Sequence, residues 1–495
     1  DSGSYTIRAQ AQDLNEAVSS WSSSHTITIV TTTTNNPPNT PTTPAGDSIG
    51  STNISHSFIS TATDPDGDSI AIRFNWGDGD TSIWSDFVPS GDSVSLTHAW
   101  SDTGTYNIKA QAKDKKDTTS GWSAGHSIKI SRGGWIKTYG GSADDYGYSV
   151  CSTLDGGYII TGYTESYGAG GQDVYLIKTN ANGDTSWTKT FGGSADDYGY
   201  SVQQTSDGGY IITGTTRSYG AGSADVWLIK TDANGDTNWT KTFGGSAIDG
   251  GSSVQQTTDG GYIIAGYTQS YGAGFQDVYL IKTDANGVSD WTKTFGGSGD
   301  DGGWSVQQTS DGGYSVTGYT QLLGSYDVYL IKTDVDGNQT WYKTFGGSDF
   351  ETGHSGQQTS DGGYIITGNT SSYGAGGADV YLVKTDANGE HIWSMTFGGS
   401  ADDAGESVQQ TTDGGYIIAG YTKSYGAGEF DVYLIKTDAN GNQQWYKTFG
   451  GSAEDRGYSI RRHYENYIIT GYTKSSGAGG ADVYLIKTDA NGNVK

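Results

Sequence analysis

The sequence predicts an all-β protein built largely from one repeated unit, and three observations carry that prediction. The segment DVYLIKTDANG at 277–287 recurs with small changes at Asp173, Asp225, Asp327, Asp379, Asp431 and Asp482, a spacing of 50 to 52 residues. Each unit holds four short stretches rich in β-branched or aromatic residues, bounded by Gly, Asn or Asp. The fourth stretch follows units one to six but not unit seven, whereas an orphan copy, GGWIKTYGG at 133–141, precedes unit one. A period near fifty with four strands per unit is the signature of propeller blades. The orphan strand then completes the last sheet and removes an exposed edge. Residues 133–495 therefore read as a seven-bladed β-propeller with N-terminal strand closure.

The elements of one unit follow from residues 194–245. YSVQQT (200–205) reads as strand one, with its Gln and Ser lining the axis. SDGG turns the chain into YIITGTT (210–216), and RSYGAGSA leads to DVWLIKT (225–231). That third strand is apolar on both faces, as a strand buried between two neighbouring sheets must be. NWTKTF (238–243) has one polar face and suits the outer edge, where lysine discourages edge pairing. The pattern W-x-K-T-F-G-G-S-x-x-D-x-G, D-G-G-Y-I-I-x-G-x-T and D-V-Y-L-I-K-T-D-x-N-G resembles the secreted bacterial and archaeal β-propeller repeat family. That resemblance covers 133–495 and implies a cell-surface setting and a fold rather than a defined activity.

The N-terminal quarter is different. TDPDGDSI (63–70), NWGDGDTS (75–82), HAWSDTGTYNIKAQAKD (98–114) and HSIKI (126–130) resemble a polycystic-kidney-disease (PKD) domain, which implies an immunoglobulin-like β-sandwich over 45–131. Residues 1–30 align with 102–131 and resemble the C-terminal part of another such module. Two or three strands cannot close a core alone, so this part calls for a completing half, from a longer chain or from another chain. TTTTNNPPNTPTTP (31–44) is Thr/Pro-rich and predicts an extended, semi-stiff link.

Composition narrows the function. Lys and Arg number 28 against 55 Asp and Glu, a net charge of −27. That excludes the basic surface that nucleic acid requires and disfavours an anionic membrane surface. No apolar run reaches membrane-spanning length, and one cysteine, Cys151, leaves no internal disulfide.

Candidate chemistry is sparse. Asp64, Asp66 and Asp68 in DPDGD have the alternate spacing of calcium loops but lack the downstream Glu. An Asp/Gly turn fits the same residues, and calcium is the one cofactor the sequence suggests. A second repeated carboxylate, at Asp145, Asp197, Asp249, Asp301, Glu351, Asp403 and Asp455, reads as a cap for backbone N–H groups. His354, His391 and His463 fall in different units without metal-ligand spacing. The axial Gln pair of units two to six becomes Arg461-Arg462 in unit seven and Cys151-Ser152 in unit one. These are departures that local packing or a small anion would explain. No nucleophile–base pair is readable, so no catalytic residue is assigned.

One face collects the loops between strands two and three and between sheets. It carries Tyr167, Tyr219, Tyr271, Tyr373 and Tyr425 and the irregular apolar residues Phe275, Leu322, Leu323, Phe350 and Phe430. This is the expected partner-binding face, unless the tyrosines merely pack their loops. Glycosylation sequons stand at Asn53, Asn238, Asn338 and Asn369. Together these features predict a non-catalytic extracellular structural or adhesive protein at the cell surface, as in a surface layer, filament or matrix. Its partners would be other copies of itself or other surface proteins. A lectin-like carbohydrate-binding propeller is the alternative, and a glycan-active enzyme stands third.

Overall fold

A computed structural model describes residues 3–29, 34–52, 55–131, 133–322, 324–463 and 466–494. Asn53 and Leu323 lie outside the described residues, as does the side chain of Leu322. The chain is all-β: no helix occurs among the described residues, and hence none is long and apolar enough to cross a membrane. It divides into two compact units, 1–132 and 133–495.

In the first unit, Gly3–Ile7 pairs antiparallel with His25–Ile29. Tyr5, Ile7, Ile27 and Ile29 of this hairpin are all exposed. Residues 45–131 form a three-stranded sheet (Ala45–Gly46, His56–Thr61, Ser93–His98) and a four-stranded sheet (Ile49–Ser51, His126–Ser131, Gly104–Asp114, Ile70–Asn75). Both contribute to one core of Phe58, Ile72, Phe74, Trp76, Trp100, Ile108 and Ile128. Ile108 and Ile128 align with Ile7 and Ile27, so the same sequence is buried in one copy and open in the other. Part of the Thr/Pro-rich stretch lies against these sheets. The Asn39 and Thr42 N–H groups donate to the Thr63 and Thr61 carbonyls, and Asn35 donates to the Asp114 carboxylate.

The second unit contains seven four-stranded antiparallel sheets, here I to VII in chain order. Their first strands are Asp145–Ser152, Asp197–Gln204, Asp249–Gln256, Asp301–Gln308, Glu351–Gln358, Asp403–Gln410 and Asp455–His463. Each first strand starts about three residues earlier than the sequence pattern shows, because a β-bulge at Gly199/Ser201 and its equivalents breaks the alternation that marks a strand. Sheets I to VI run in order from first strand to fourth. Sheet VII takes its fourth strand from Trp135–Tyr139, paired antiparallel with Asp482–Thr488. The first strands of consecutive sheets touch one another, and the last, Asp455–His463, touches the first, Asp145–Ser152.

Packing between sheets explains the composition. Seven apolar clusters each join two neighbouring sheets, such as Ile159, Val174 and Leu176 of sheet I with Val202, Ile212 and Trp227 of sheet II. The cluster between sheets VII and I includes Trp135 and Tyr139 from the orphan strand. Third strands are buried along their whole length, except for the first three residues of Ser325–Thr333 in sheet IV, and fourth strands are largely exposed. Near the rim, a fourth-strand Trp meets the first Tyr of strand two in the next sheet: Trp187–Tyr210 at 5.9 Å and Trp239–Tyr262 at 6.0 Å. Trp135–Tyr158, at 5.9 Å, supplies the same contact from sheet VII to sheet I. Each such pair is worth about 0.5–1.5 kcal/mol beyond area burial. Gly235, at φ 78°, turns the chain from strand three into strand four, and a Cβ there would stand 2.7 Å from the Trp187 ring. The repeated D-A-N-G therefore serves both the turn and the inter-sheet contact.

Candidate functional site

The repeated carboxylates build the loop face. Asp197 is fully buried at the start of its strand. Its Oδ2 accepts the Gly193 N–H at 2.9 Å and the Ser218 hydroxyl at 2.6 Å, and its Oδ1 accepts the Thr216 hydroxyl. Equivalent bonds recur from Asp145, Asp249, Glu351, Asp403 and Asp455. In the six sheets other than sheet IV the Asp of the DV pair holds the adjacent loop in turn, as when Asp225 accepts the Ala221 N–H at 2.9 Å. Burial, with the nearby Asp197 carboxylate adding to it against one backbone hydrogen bond, pushes the Asp173 carboxyl above its ordinary range.

The SYGAG tyrosines are tied into that network. The hydroxyls of Tyr167, Tyr219, Tyr271, Tyr373 and Tyr425 donate to the carbonyls of Gly140, Gly192, Gly244, Gly346 and Gly398 at 2.7–3.0 Å. Tyr167, Tyr219, Tyr271 and Tyr373 still show about half their surface. Of the apolar residues on this face, Phe275 is 79% exposed and Phe350 is 53% exposed. Phe430 instead packs edge-on against Tyr421 and lies 4.3 Å from the Arg456 guanidinium. In sheet IV a shortened hairpin, Tyr314–Leu322 with Ser325–Thr333, replaces the SYGAG loop. It brings Tyr326 onto Phe350 at 5.2 Å and Tyr319 onto Tyr326 at 5.5 Å.

The first strands of all seven sheets line a cavity of about 320 Å³. The bulge is what shapes it, because it aims two successive residues of each strand inward. One of the two is always serine, from Ser149 to Ser459. The other is tyrosine in sheets I, II and VII (Tyr148, Tyr200, Tyr458) and changes in the rest: Ser252, Trp304, His354 and Glu406. Trp304 is 44% exposed and lies 6.3 Å from Tyr319 and 6.4 Å from His354. An aromatic run thus connects Phe350 on the loop face to the cavity wall. His354 Nδ1 lies 2.9 Å from a Glu406 carboxylate oxygen, and its Nε2 is 2.9 Å from the Thr352 hydroxyl. Burial alone would lower the His354 pKa, but the Glu406 carboxylate outweighs it and raises it.

Deeper along the strands come Cys151, Gln203, Gln255, Gln307, Gln357, Gln409 and Arg461. The five glutamines form a belt: each side-chain oxygen accepts a backbone N–H of the next sheet, as Gln203 does from Gln256 at 2.6 Å and Gln409 from Arg462 at 2.8 Å. The second residue of each pair is tied elsewhere, as when Gln256 accepts the Ser206 N–H at 2.8 Å. Cys151 and Arg461 offer no such acceptor, so the belt is open on both sides of the first strand of sheet I. The sequence marks this seam, but not the belt, because the acceptors serve backbone of another sheet.

An ion pair between a buried lysine and an exposed aspartate escaped the sequence reading altogether. In sheets I to VI the lysine of IKT or VKT turns inward: Lys178, Lys230, Lys282, Lys332, Lys384 and Lys436 meet the Asp of the SDGG-type turn at 2.7–2.9 Å. Burial raises the Asp207 carboxyl, but Lys230, Thr205 and the Gly209 N–H outweigh it and hold it at about 2. Lysine one residue after three apolar positions looks like a strand end, so only the recurring Asp–Lys spacing could have disclosed the pair.

In the sandwich, Asp64 Oδ1 accepts the Asp66 and Asp68 N–H groups at 2.8 and 3.3 Å, the bonds of an Asp/Gly turn. Asp66 takes Asn36, and Asp68 takes Lys116 at 2.9 Å. Asp64 Oδ2 is buried with no hydrogen-bond partner among the described residues, an atom that a calcium ion would satisfy. Asp78, Asp80 and His98 gather within 4.8 Å as another set of ligand atoms. Of the sequon residues, Asn238 and Asn338 are exposed, whereas Asn369 is half-buried and hydrogen-bonded to Thr352.

No protein-family model matches the chain. A stretch of 144 residues is 26% identical to the regulatory protein FlaEY of Caulobacter vibrioides, covering 24% of this chain and 15% of that protein. The chain thus spans a small fraction of the length of that curated relative. Among solved structures, the PKD domain of an M14-like peptidase from a Thermoplasmatales archaeon is 33% identical, over 20% of this chain and all of that one, with a TM-score of 0.19. The extracellular domain of a putative hybrid two-component system from B. thetaiotaomicron is 13% identical over 71% of this chain and 41% of that one, at 0.39. The polysaccharide lyase Uly1 is 12% identical over 71% and 91%, at 0.44. Likenesses this distant carry no argument about activity.

Proposed function

We propose that residues 133–495 form a seven-bladed β-propeller closed by the Trp135 strand and that 45–131 is a PKD-type sandwich. On this reading the chain is a non-catalytic structural or adhesive protein of the cell exterior that contacts other copies of itself. One observation carries the adhesive reading. Loops held stiffly by buried carboxylates and tethered tyrosines present Phe275 and Phe350, 79% and 53% exposed, on a single face. Large apolar side chains on a rigid, strongly hydrogen-bonded surface lose little entropy on docking, and exposed clusters of them mark contacts. Sedimentation velocity of the full chain tests this. Wild type should form larger species as concentration rises, and a Phe275→Ser/Phe350→Ser double variant should remain monomeric. A wild type that stays monomeric throughout, or a double variant that assembles equally well, contradicts it. Calcium held at Asp64, Asp66 and Asp68 would stiffen the sandwich, as the unpartnered Asp64 oxygen suggests.

Glycan binding is the second reading, favoured by the aromatic run from Phe350 through Tyr326 and Tyr319 to Trp304. Exposed aromatic faces beside polar groups suit sugar rings.

A further inference from the structure

We propose that the axial cavity binds a sugar carrying a single carboxylate, with the acid group at the glutamine level and the ring against Trp304. This goes beyond the adhesive reading and rests on other residues.

The glutamine belt sets the polarity of the inner wall. In Gln203, Gln255, Gln307, Gln357 and Gln409 the side-chain oxygen is consumed by a backbone N–H of the next sheet. What each amide has left is its Nε2–H2, and none of these finds a protein acceptor among the described residues. The serines one level up behave alike. The hydroxyl oxygens of Ser149, Ser201 and Ser253 accept the N–H groups of Val202, Val254 and Val306 at 3.2–3.3 Å, so their O–H bonds remain to be donated. A wall of amides and hydroxyls, neutral in composition, is therefore a wall of donors.

Arg461 adds the charge. It stands where five sheets have glutamine, lines the cavity, and pairs with no carboxylate among the described residues. Glu406, the one acid on the wall, is already matched by His354 at 2.9 Å. With His354 protonated the lining carries one uncompensated positive charge, which matches a monoanion better than a phosphate dianion. Donors and a guanidinium lining one cavity suit a carboxylate. About 320 Å³ lies at the small end of ligand sites, large enough for one sugar ring. At the wider level, where side chains differ from sheet to sheet, Trp304 offers its face and His354, Glu406 and Tyr458 offer polar atoms for hydroxyls. Seven sheets held only by their repeated cores would need no such variety at this level.

Cys151, the chain's single cysteine, lines the same cavity and reports on occupancy. The probe is sodium D-glucuronate, titrated calorimetrically into the full chain, with D-glucose as the neutral match and acetate as the anion without a ring. Glucuronate should bind at least tenfold more tightly than either and should slow alkylation of Cys151. Arg461→Gln installs the residue of the other sheets, so it should fold, and it should weaken glucuronate at least tenfold. Trp304→Ser, which copies Ser252 of sheet III, should weaken glucuronate severalfold. Glucose binding as well as glucuronate, or a folded Arg461→Gln variant with unchanged affinity, overturns the proposal. So does glucuronate binding that leaves Cys151 alkylation unchanged.

Discussion

At the scale of single residues, the same side chains are used to opposite electrostatic ends. Asp207 ionises readily because Lys230 lies 2.8 Å away, and its carboxyl is held at about 2. Asp173, Asp379, Asp431 and Asp482 are shifted upward, first by burial. The signs therefore differ. A carboxyl depressed in the folded state adds stability that is fully present above its unfolded value near 4 and is lost as pH falls toward 2. A raised one works the other way, so a raw acid curve mixes both. Comparing Asp207→Asn with wild type isolates the pair. The variant should be less stable at pH 6, by roughly 1 kcal/mol since Asp207 is largely exposed and the pair is screened. The difference should vanish between pH 4 and pH 2 in denaturant titrations. A deficit that stays constant down to pH 2 would show that the ion pair contributes nothing through charge.

At the scale of elements, the strands were legible and their cross-links were not. The first-strand starts at Asp197 and its equivalents were hidden by the bulge. The third strand announced itself because seven copies of DVYLIKT are apolar on both faces, and burial follows from that directly. The axial position of the glutamines was also legible, because a polar first strand has few other places to lie. Their belt was not, since a hydrogen bond to another sheet's backbone leaves no pattern in sequence. Nor was the varied cavity level, although the signal existed: the residue before the invariant serine changes from Tyr148 to Ser252 to Glu406 while its neighbours repeat. The open link beside Cys151 makes a prediction. Cys151→Gln gives the Gln204 N–H the acceptor that the other sheets provide, and should stabilise the chain by about 0.5–1.5 kcal/mol, the worth of one hydrogen bond. Thermal melts followed by circular dichroism should show a higher midpoint; a lower one would mean that the seam is packed around the smaller side chain.

At the scale of the whole second unit, identical sheets succeed only if the last meets the first. Each sheet buries both faces of its third strand, so an open array would leave one apolar face bare at either end. The cluster of Trp135 and Tyr139 with Val150, Tyr158, Ile177 and Val483 removes both bare faces at once. The Tyr139 hydroxyl adds a bond to the Gly183 carbonyl at 2.6 Å, and the Lys137 ammonium reaches Asp184 at 3.1 Å. The orphan strand is thus the latch of the assembly, and the stiffness of the loop face and the shape of the axial cavity depend on it. Amide hydrogen exchange of the full chain, resolved to Trp135–Tyr139, tests this most directly. The ladder-bonded amides of that segment should be protected as strongly as those of Asp482–Thr488. Exchange at the rate of an unstructured peptide, with Asp482–Thr488 still protected, would contradict closure by this strand.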